Sequence, residues 1–216
     1  ERADGIISVS RNTTSDLFEF YEVPESKVRT IYVGVNDFFR VRNEETKAFA
    51  QHRTPFLLFV GHRDGYKNWR MLIKAISTST FLRKNFKLFC FGGNPFSADE
   101  KHFLLELGLL NHVHFFQGDD KLLRSMYQNA ICMVYPSLYE GFGSPVIEAM
   151  ASGCPVFTSN SSALVESGGH AAMYFSPESI DSIIATLEKG LSSQDTLNDM
   201  AERAVSYTHL TLPTKA

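Results

Sequence analysis

The chain has 216 residues, enough for one domain or for one domain and part of another. Its hydrophobic fraction of 44% and its charged fraction of 21% are ordinary for a globular protein with a buried core. The formal net charge of −3 gives no bulk attraction for a polyanion, so we expect no nucleic-acid partner.

The cysteines and histidines do not form a recognisable site. Cys90, Cys132 and Cys154 match neither a zinc pattern nor a thioredoxin-like motif. Cys90 and Cys132 lie in apolar runs, so we interpret them as core residues of a reducing compartment, without a disulfide framework. No histidines are paired at helical spacing, and we expect no metal site. No apolar run is long enough to span a bilayer.

The first part of the chain predicts two strands around one helix. Residues 5–10 (GIISVS) form the first strand, and Ser10 caps a helix that runs to about Tyr21. Residues 28–33 form the second strand. The polar, charged stretch 36–53 is typical of a linker or exposed segment.

From residue 55 onward, short apolar runs alternate with helical patterns. Strands are predicted at 56–61, 86–93, 113–117, 131–136, 155–159 and 173–176. Helices are predicted at 68–79, 98–107, 121–129, 144–152, 178–190 and 194–205. The alternation predicts an α/β fold, a parallel sheet with helices on both faces, whose ligands bind at the carboxyl ends of the strands.

The last eleven residues, 206–216, show neither strand alternation nor helical period. We interpret them as a non-native tail, an expression or sequence-assembly scar. An ordinary frayed terminus is the alternative.

The most informative stretch is YEGFGSPVIEAMASGCPV at 139–156. Ser144 is the predicted N-cap of a helix and Pro145 its first residue. Gly141 and Gly143 precede them and let the backbone come close to a ligand. Free N–H groups and the positive end of the helix dipole then favour an anion such as a diphosphate.

Two carboxylates lie near this helix start. Glu140 precedes the glycines, and Glu148 falls one turn into the helix. We assign Glu148 to the ribose diol, as in dinucleotide-binding folds, and Glu140 to sugar hydroxyls or to charge at the reacting centre. The alternative is a pair of solvated glutamates beside a plain turn.

A basic loop, GHRDGYKNW at 61–69, follows the first strand of the sheet. Arg63 and Lys67 are candidates to stabilise the negative charge that grows on a diphosphate leaving group, without a metal. Gly61 and Gly65 favour this role over two solvated cations, because they allow close backbone approach.

The next two strand ends offer further contacts. Gly92, Gly93 and Asn94 are placed to flank the phosphates or the base. The loop 117–120 is placed to read a nucleobase edge.

These residues resemble glycosyltransferase family 4. The E-x7-E pattern from Glu140 to Glu148 resembles the family signature. The stretch LLRSMYQNAICMVYPSLYEGFG resembles the segment that leads up to this signature in the family. The basic loop of the family is similar to VGHRDGYKNW. The segment that connects the first domain of the family to the second is similar to VSRNTTSDLFEFYEVPESKVRTIYVGVN at 9–36. The resemblance covers residues 5–205.

The resemblance implies a GT-B architecture, two Rossmann-like domains with a cleft between them. It implies transfer of a hexosyl group from a nucleoside-diphosphate sugar to a glycan or lipid acceptor, with retention at the anomeric carbon and no bound metal. By match, Arg63 and Lys67 bind the diphosphate and Glu148 the ribose. The remaining residues expected to face the donor are Glu140, Gly61, Gly92, Phe142, Gly143 and Ser144.

The resemblance also divides the chain. Residues 1–40 correspond to the end of an acceptor-side domain with its interdomain segment, and 41–205 to the donor-binding domain. Most of the acceptor domain is missing, and the tail at 206–216 stands where a helix normally returns to it. We therefore expect donor binding without transfer by this fragment. Ser144 stands where a larger apolar residue is common.

Two other functions are alternatives to this one. The first is a module that binds a nucleotide sugar without catalysis. The second is a nicotinamide-dependent oxidoreductase, but GHRDGY does not fit the GxGxxG fingerprint that it needs. We expect a cytoplasmic protein, with peripheral attachment at the inner face of the membrane if the acceptor is a lipid or a polysaccharide. The base and the sugar stay open, with mannose and glucose as candidates.

Overall fold

The computed structural model describes residues 3–40 and 54–210. The strands are β1 (Ile6–Ser8), β2 (Val28–Thr30), β3 (Phe56–Val60), β4 (Lys87–Phe91), β5 (Val113–Phe116), β6 (Cys132–Tyr135), β7 (Val156–Ser159) and β8 (Met173–Phe175). The helices are α1 (Arg11–Phe20), α2 (Trp69–Thr78), α3 (Thr80–Asn85), α4 (Ala98–Glu106), α5 (Asp120–Asn129), α6 (Ser144–Ala151), α7 (Leu164–Gly168), α8 (Ile180–Leu191) and α9 (Gln194–Leu210). Short 3₁₀ turns lie at Glu25–Lys27, Asp37–Arg40 and Gly65–Lys67.

The N-terminal segment forms a small unit of its own. β1 and β2 pair in parallel, Ile6 opposite Val28, and α1 connects them. The Ser10 hydroxyl accepts a hydrogen bond from the Thr13 N–H at 2.9 Å, which confirms the predicted cap. Both strands are shorter than predicted.

The main sheet has six parallel strands in the order β5-β4-β3-β6-β7-β8. The chain runs outward from β3 to β5, returns to place β6 beside β3, and then runs outward to β8. The carboxyl ends of β3 and β6 therefore flank the point where the strand order reverses, where ligands bind in such sheets. The predicted α/β fold is confirmed.

Residue parity along the strands builds two apolar layers. Leu57 and Phe59 of β3 face the layer that α2 and α8 cover, with Trp69, Leu72, Ile73, Ile183 and Leu187. Phe56, Leu58 and Val60 belong to the layer of α5 and α6, with Met126, Tyr127, Val146 and Ile147. Each of the large side chains contributes about 1.5–3 kcal/mol when fully buried, so the central strand β3 is held rigidly on both faces.

Among the helices, two were missed and the end of one was misplaced. α3 and α7, of six and five residues, were missed because so short a segment carries no helical period. α9 runs on to Leu210, so the predicted end of the helical pattern at residue 205 is wrong. Thr208 is buried, and its carbonyl accepts from Arg40 at 3.1 Å. The linker residues 41–53 and the tail residues 211–216 lie outside the described residues.

No helix in the described part of the chain combines the length and the apolar character needed to cross a membrane.

Gly190 on α8 provides a test of this packing. A Cβ there would lie 2.4 Å from Cζ of Phe157 and 3.0 Å from Sδ of Met173. Gly190→Ala gains about 1 kcal/mol of helix propensity, yet overpacking costs typically about 1–3 kcal/mol. We expect a net loss of stability in urea unfolding. The exposed neighbour Lys189→Ala is the matched control, with a change near zero, and a more stable Gly190→Ala variant would contradict the packing.

Candidate functional site

The centre of the candidate site is an ion pair across the switch point. Lys67 ends the 3₁₀ turn after β3, and Glu140 lies in the loop after β6. Lys67 Nζ is 2.7 Å from Glu140 Oε1, with the two side chains only 13% and 12% exposed. The lysine also donates to the hydroxyl of Tyr135, the last residue of β6. Burial and the Glu140 charge raise the pKa of Tyr135, so its hydroxyl stays neutral.

The two loops are joined by several other bonds. Asn68 adopts a left-handed conformation between the 3₁₀ turn and α2, with φ of 57°. Its side-chain amide donates to the carbonyls of Pro136 at 3.1 Å and Pro177 at 2.8 Å. The Leu138 N–H donates to the Tyr66 carbonyl at 2.7 Å. These bonds fix Lys67 relative to the loop that carries Glu140.

Gly61 lies directly under the lysine. A Cβ at this position would lie 3.6 Å from Lys67 Cε, and its φ of +125° is one that L side chains rarely adopt. The Gly61 N–H donates to the Phe91 carbonyl, and Gly92 packs against Gly61. The structure thus brings together Gly61, Gly92 and Lys67, as the sequence predicts.

The glycine loop leads into α6 one residue earlier than predicted. Gly143 is the N-cap residue, with φ of +89°, and Ser144 and Pro145 are the first two helical residues. The assignment of Ser144 as the cap is therefore wrong, because the left-handed Gly143 already turns the chain into the helix. A Cβ on Gly143 would lie 2.7 Å from Leu164 Cδ2, and the positive φ is one that L side chains rarely adopt, so a substitution there would be strained.

The backbone at this helix start offers unused donors. No described residue accepts a hydrogen bond from the N–H groups of Phe142, Gly143 or Ser144. Such N–H groups, with the positive end of the helix dipole behind them, bind anions. Lys67 is bound to Glu140, which lies two residues before Phe142 in the same loop. The lysine and the open N–H groups together suit a ligand with adjacent negative charges.

Glu148 lies one turn further along α6, partly buried. Burial raises its pKa to about 7, although a hydrogen bond from the Tyr127 hydroxyl at 3.2 Å opposes this shift; the charge of Asp120 raises it further. The carboxyl group thus changes charge near neutral pH. A hydroxyl-rich ligand that donates to the ionised form would stabilise the charged state.

Arg63 is occupied by the protein itself. Its guanidinium is 2.7 Å from Glu100, and it donates to the carbonyls of Gly92 at 3.2 Å and of Asn94. It also lies over the ring of Phe96, 4.7 Å from the centroid. These contacts use most of its five N–H donors. Arg63 and Lys67 are thus both paired with carboxylates of the chain in this structure, and their role at a diphosphate stays a prediction.

Glu100 completes that cluster. Its burial would raise the pKa of the carboxyl group, but hydrogen bonds from Arg63 and Ser97 outweigh burial and lower it. Glu100 also forms the capping box of α4 with Ser97. A cavity of about 320 Å³ lies beside the cluster, lined in part by His62, Arg70 and Asp99.

Sequence reasoning missed several residues that hold the site. Tyr135 binds Lys67, and the Ser162 hydroxyl accepts from the Glu140 N–H at 2.9 Å. Their partners lie 68 and 22 residues away along the chain, so no local pattern marks them. Among the described residues, no group of three or more His, Cys, Asp or Glu side chains is placed to hold a metal ion.

A family profile described as "Glycosyl transferases group 1" matches residues 41–206. The chain belongs to this family. Glycosyl transfer is the chemistry of this family.

Curated proteins similar to this chain include named glycosyltransferases. An uncharacterized glycosyltransferase of Methanocaldococcus jannaschii is 30% identical over 200 residues, which are 87% of this chain and 50% of that protein. The O-antigen chain mannosyltransferase B of Escherichia coli is 27% identical over 196 residues, 86% of this chain and 51% of that protein. The chain thus spans about half the length of the curated relatives it matches.

Solved structures share the fold. A glycosyltransferase from Rickettsia africae superposes with a TM-score of 0.84 at 20% identity, covering 95% of this chain and 58% of that one. The Anabaena protein HepE, solved in complex with UDP and glucose, gives a TM-score of 0.86 at 16% identity, covering 97% and 59%. The fold is that of a Rossmann-like domain of GT-B glycosyltransferases.

Glu148 gives a pH-dependent prediction. Because its pKa is raised in the folded state from 4.5 to about 7, the folded protein binds more protons than the unfolded chain between these values. Its contribution to stability therefore falls as pH rises through this window. Glu148→Gln should remove that fall and stabilise the protein at pH 8 by about 1–3 kcal/mol.

Urea unfolding at pH 5 and pH 8 measures this effect. The exposed Glu178→Gln variant is the control and should follow the wild type. If Glu148→Gln loses stability between pH 5 and pH 8 as steeply as the wild type, Glu148 does not titrate as described.

Proposed function

We propose that this chain carries the nucleotide-sugar donor site of a retaining hexosyltransferase of glycosyltransferase family 4. The observation that carries the proposal is the Lys67–Glu140 ion pair beside the unpartnered N–H groups at the start of α6. A cation and a helix N-terminus at one switch point match a diphosphate in charge and in geometry.

In this proposal, Lys67 and the backbone N–H groups of Phe142, Gly143 and Ser144 donate hydrogen bonds to the diphosphate. Gly61, next to Lys67, and Gly92, which packs on Gly61, have no side chains that would keep the phosphates from the backbone. As the bond to the sugar breaks, negative charge grows on the leaving diphosphate. These fixed donors stabilise that charge without rearrangement, which favours transfer, and we propose that no bound metal is needed.

Glu140 has two roles in this proposal. In the free protein it neutralises Lys67, so that the lysine charge is not buried without a partner. When a diphosphate binds, Lys67 is shared with it. The Glu140 carboxylate is then able to accept hydrogen bonds from hydroxyls of the donor sugar or to stabilise positive charge at the anomeric carbon.

Glu148 is proposed to bind the ribose. A carboxylate accepts from two adjacent hydroxyls, and Glu148 sits one turn into the helix whose start binds the phosphates. Its raised pKa places deprotonation near pH 7, so donor affinity should rise with pH through that region.

Arg63 remains a predicted phosphate ligand, but its contacts fit a different role better. The guanidinium ties the loop after β3 to Gly92, Asn94 and α4. We propose that Arg63 shapes the phosphate pocket and that Lys67 supplies the charge.

The sugar and the acceptor stay proposals. The O-antigen mannosyltransferase relatives favour mannose as the sugar, whereas HepE was solved with UDP and glucose. The proposed acceptor is a glycan or a lipid-linked molecule. We propose that a region corresponding to the half of the relatives that this chain does not span binds it. We expect the chain alone to bind donor without transferring sugar. Cytoplasmic location and peripheral membrane attachment are likewise predictions.

Calorimetric titration with UDP, GDP, ADP and their hexose conjugates, with and without divalent metal, tests this function. We expect metal-independent binding of one nucleoside diphosphate. Lys67→Ala should weaken it by about 10- to 100-fold, since a charge-assisted hydrogen bond contributes about 1.5–3 kcal/mol. Glu148→Ala should also weaken it. Lys74→Ala, an exposed lysine on α2, is the control.

Two further variants separate the roles. Glu140→Gln should keep or increase affinity for the free diphosphate, because Lys67 loses its competitor, while reducing the gain from the attached sugar. Arg63→Ala should lower the melting temperature, and it should weaken nucleotide binding less than Lys67→Ala does. A folded wild type that binds none of the nucleotides would contradict the donor site.

A further inference from the structure

Glu166 on α7 gathers three donors from the N-terminal segment. The backbone N–H groups of Arg11 and Asn12, in the first turn of α1, donate to its two carboxylate oxygens at 2.8 Å each. The Tyr32 hydroxyl donates to the same carboxylate at 3.0 Å. An acidic group at a helix start is favoured by the free N–H groups and by the dipole. Glu166 therefore fixes α1 and Tyr32 against the donor domain.

Helix α1, so held, contacts the glycine loop. The Thr13 hydroxyl donates to the Gly141 carbonyl at 3.1 Å. The Asn12 side-chain amide donates to the Tyr139 hydroxyl at 2.7 Å, and that hydroxyl also donates to Asp16. One route thus runs from Glu166 through α1 to residues 139 and 141.

A second route runs through aromatic packing. The ring of Tyr32 lies 5.9 Å from the ring of Phe142, centroid to centroid. Phe142 is buried, and its backbone N–H is one of the donors assigned to the diphosphate. The hydrogen bond from Tyr32 to Glu166 fixes the ring on which Phe142 packs.

The segment around Glu166 contacts the loop directly as well. Ser162 accepts from the Glu140 N–H, and Leu164 packs on Gly143. The Tyr207 hydroxyl of α9 donates to the Glu166 carbonyl at 2.8 Å. Glu166 therefore stands on a segment anchored to the donor domain, while its side chain reaches the N-terminal segment.

We propose that Glu166 is a positioning residue for donor binding: it pins α1 and Tyr32 against residues 139–142 and so sets the glycine-loop conformation that binds the donor diphosphate. The inference rests on the proposed function for its ligand. The loop contacts themselves do not depend on that ligand. The N-terminal segment is in consequence a working part of the donor site.

Amide hydrogen exchange measured by NMR tests this without any nucleotide. The reporters are the Glu140 N–H, bound to Ser162, and the Val146 N–H, bound to the Gly143 carbonyl. In Glu166→Ala these amides and those of α1 should exchange about tenfold faster or more, while β3 and β4 amides keep their wild-type rates. Glu166→Gln keeps one good acceptor and should fall between the two.

Single-route variants and affinity complete the test. Thr13→Val removes the bonds of the Thr13 hydroxyl to the Gly141 carbonyl and to the Ser10 hydroxyl, and Tyr32→Phe removes the bond to Glu166, so each should show part of the effect. Glu178→Ala is the exposed control. The affinity of the nucleoside diphosphate that binds the wild type should fall about tenfold in Glu166→Ala, with a smaller fall in Glu166→Gln.

Three results would overturn the inference. The first is an unchanged exchange rate of the Glu140 and Val146 amides in folded Glu166 variants. The second is an acceleration of exchange in β3 and β4 that equals the one in the loop. The third is faster exchange in the loop with unchanged nucleotide affinity. If the wild type binds none of the nucleotides, the proposed function fails, whereas the exchange rates still decide whether Glu166 holds the loop.

Discussion

The ion pair between Lys67 and Glu140 joins two loops that leave the sheet at neighbouring strands and then run in opposite directions. It exists because β3 and β6 are adjacent, although 73 residues separate the two side chains. Both charges are largely buried, so each needs the other in the free protein. The hydrogen bonds of the Asn68 side chain fix the backbone next to Lys67, and Gly61 leaves space for the lysine side chain, so both help to hold the ion pair in place. A diphosphate would enter a site already arranged for charge.

The start of α6 supplies the second half of the charge arrangement. Gly143 combines a left-handed backbone with contact against Leu164, so the loop has one well-defined conformation. The N–H groups left open there have no partner among the described residues. Open donors beside a buried lysine and a glutamate with raised pKa are costly to maintain in a free protein. Such a cost is typical of a binding site, where stability is given up for function.

The sequence predicted the sheet well because its signals are local. Apolar runs such as 56–60 and the cap at Ser10 specify their own structure. The placement of Lys67 and Glu140 at one edge of the sheet was also predicted, because the carboxyl ends of parallel strands meet there, while the functional roles of Lys67, Glu140 and Glu148 stay predictions. Pairings across the fold were not found. Arg63 carries no mark of its partner Glu100, and five-residue α7 carries no period that would reveal Glu166. The cap was misassigned to Ser144 because sequence alone does not show which glycine becomes left-handed.

The central claim is that Lys67 and the α6 N-terminus bind a donor diphosphate. A crystal structure of the chain with the nucleoside diphosphate selected by calorimetry tests it most directly. The account predicts phosphate oxygens within hydrogen-bond distance of Lys67 Nζ and of the Gly143 and Ser144 amides, with the ribose hydroxyls at Glu148. Phosphates in the cavity beside Arg63 and Arg70, with Lys67 still bound only to Glu140 and Tyr135, would contradict it.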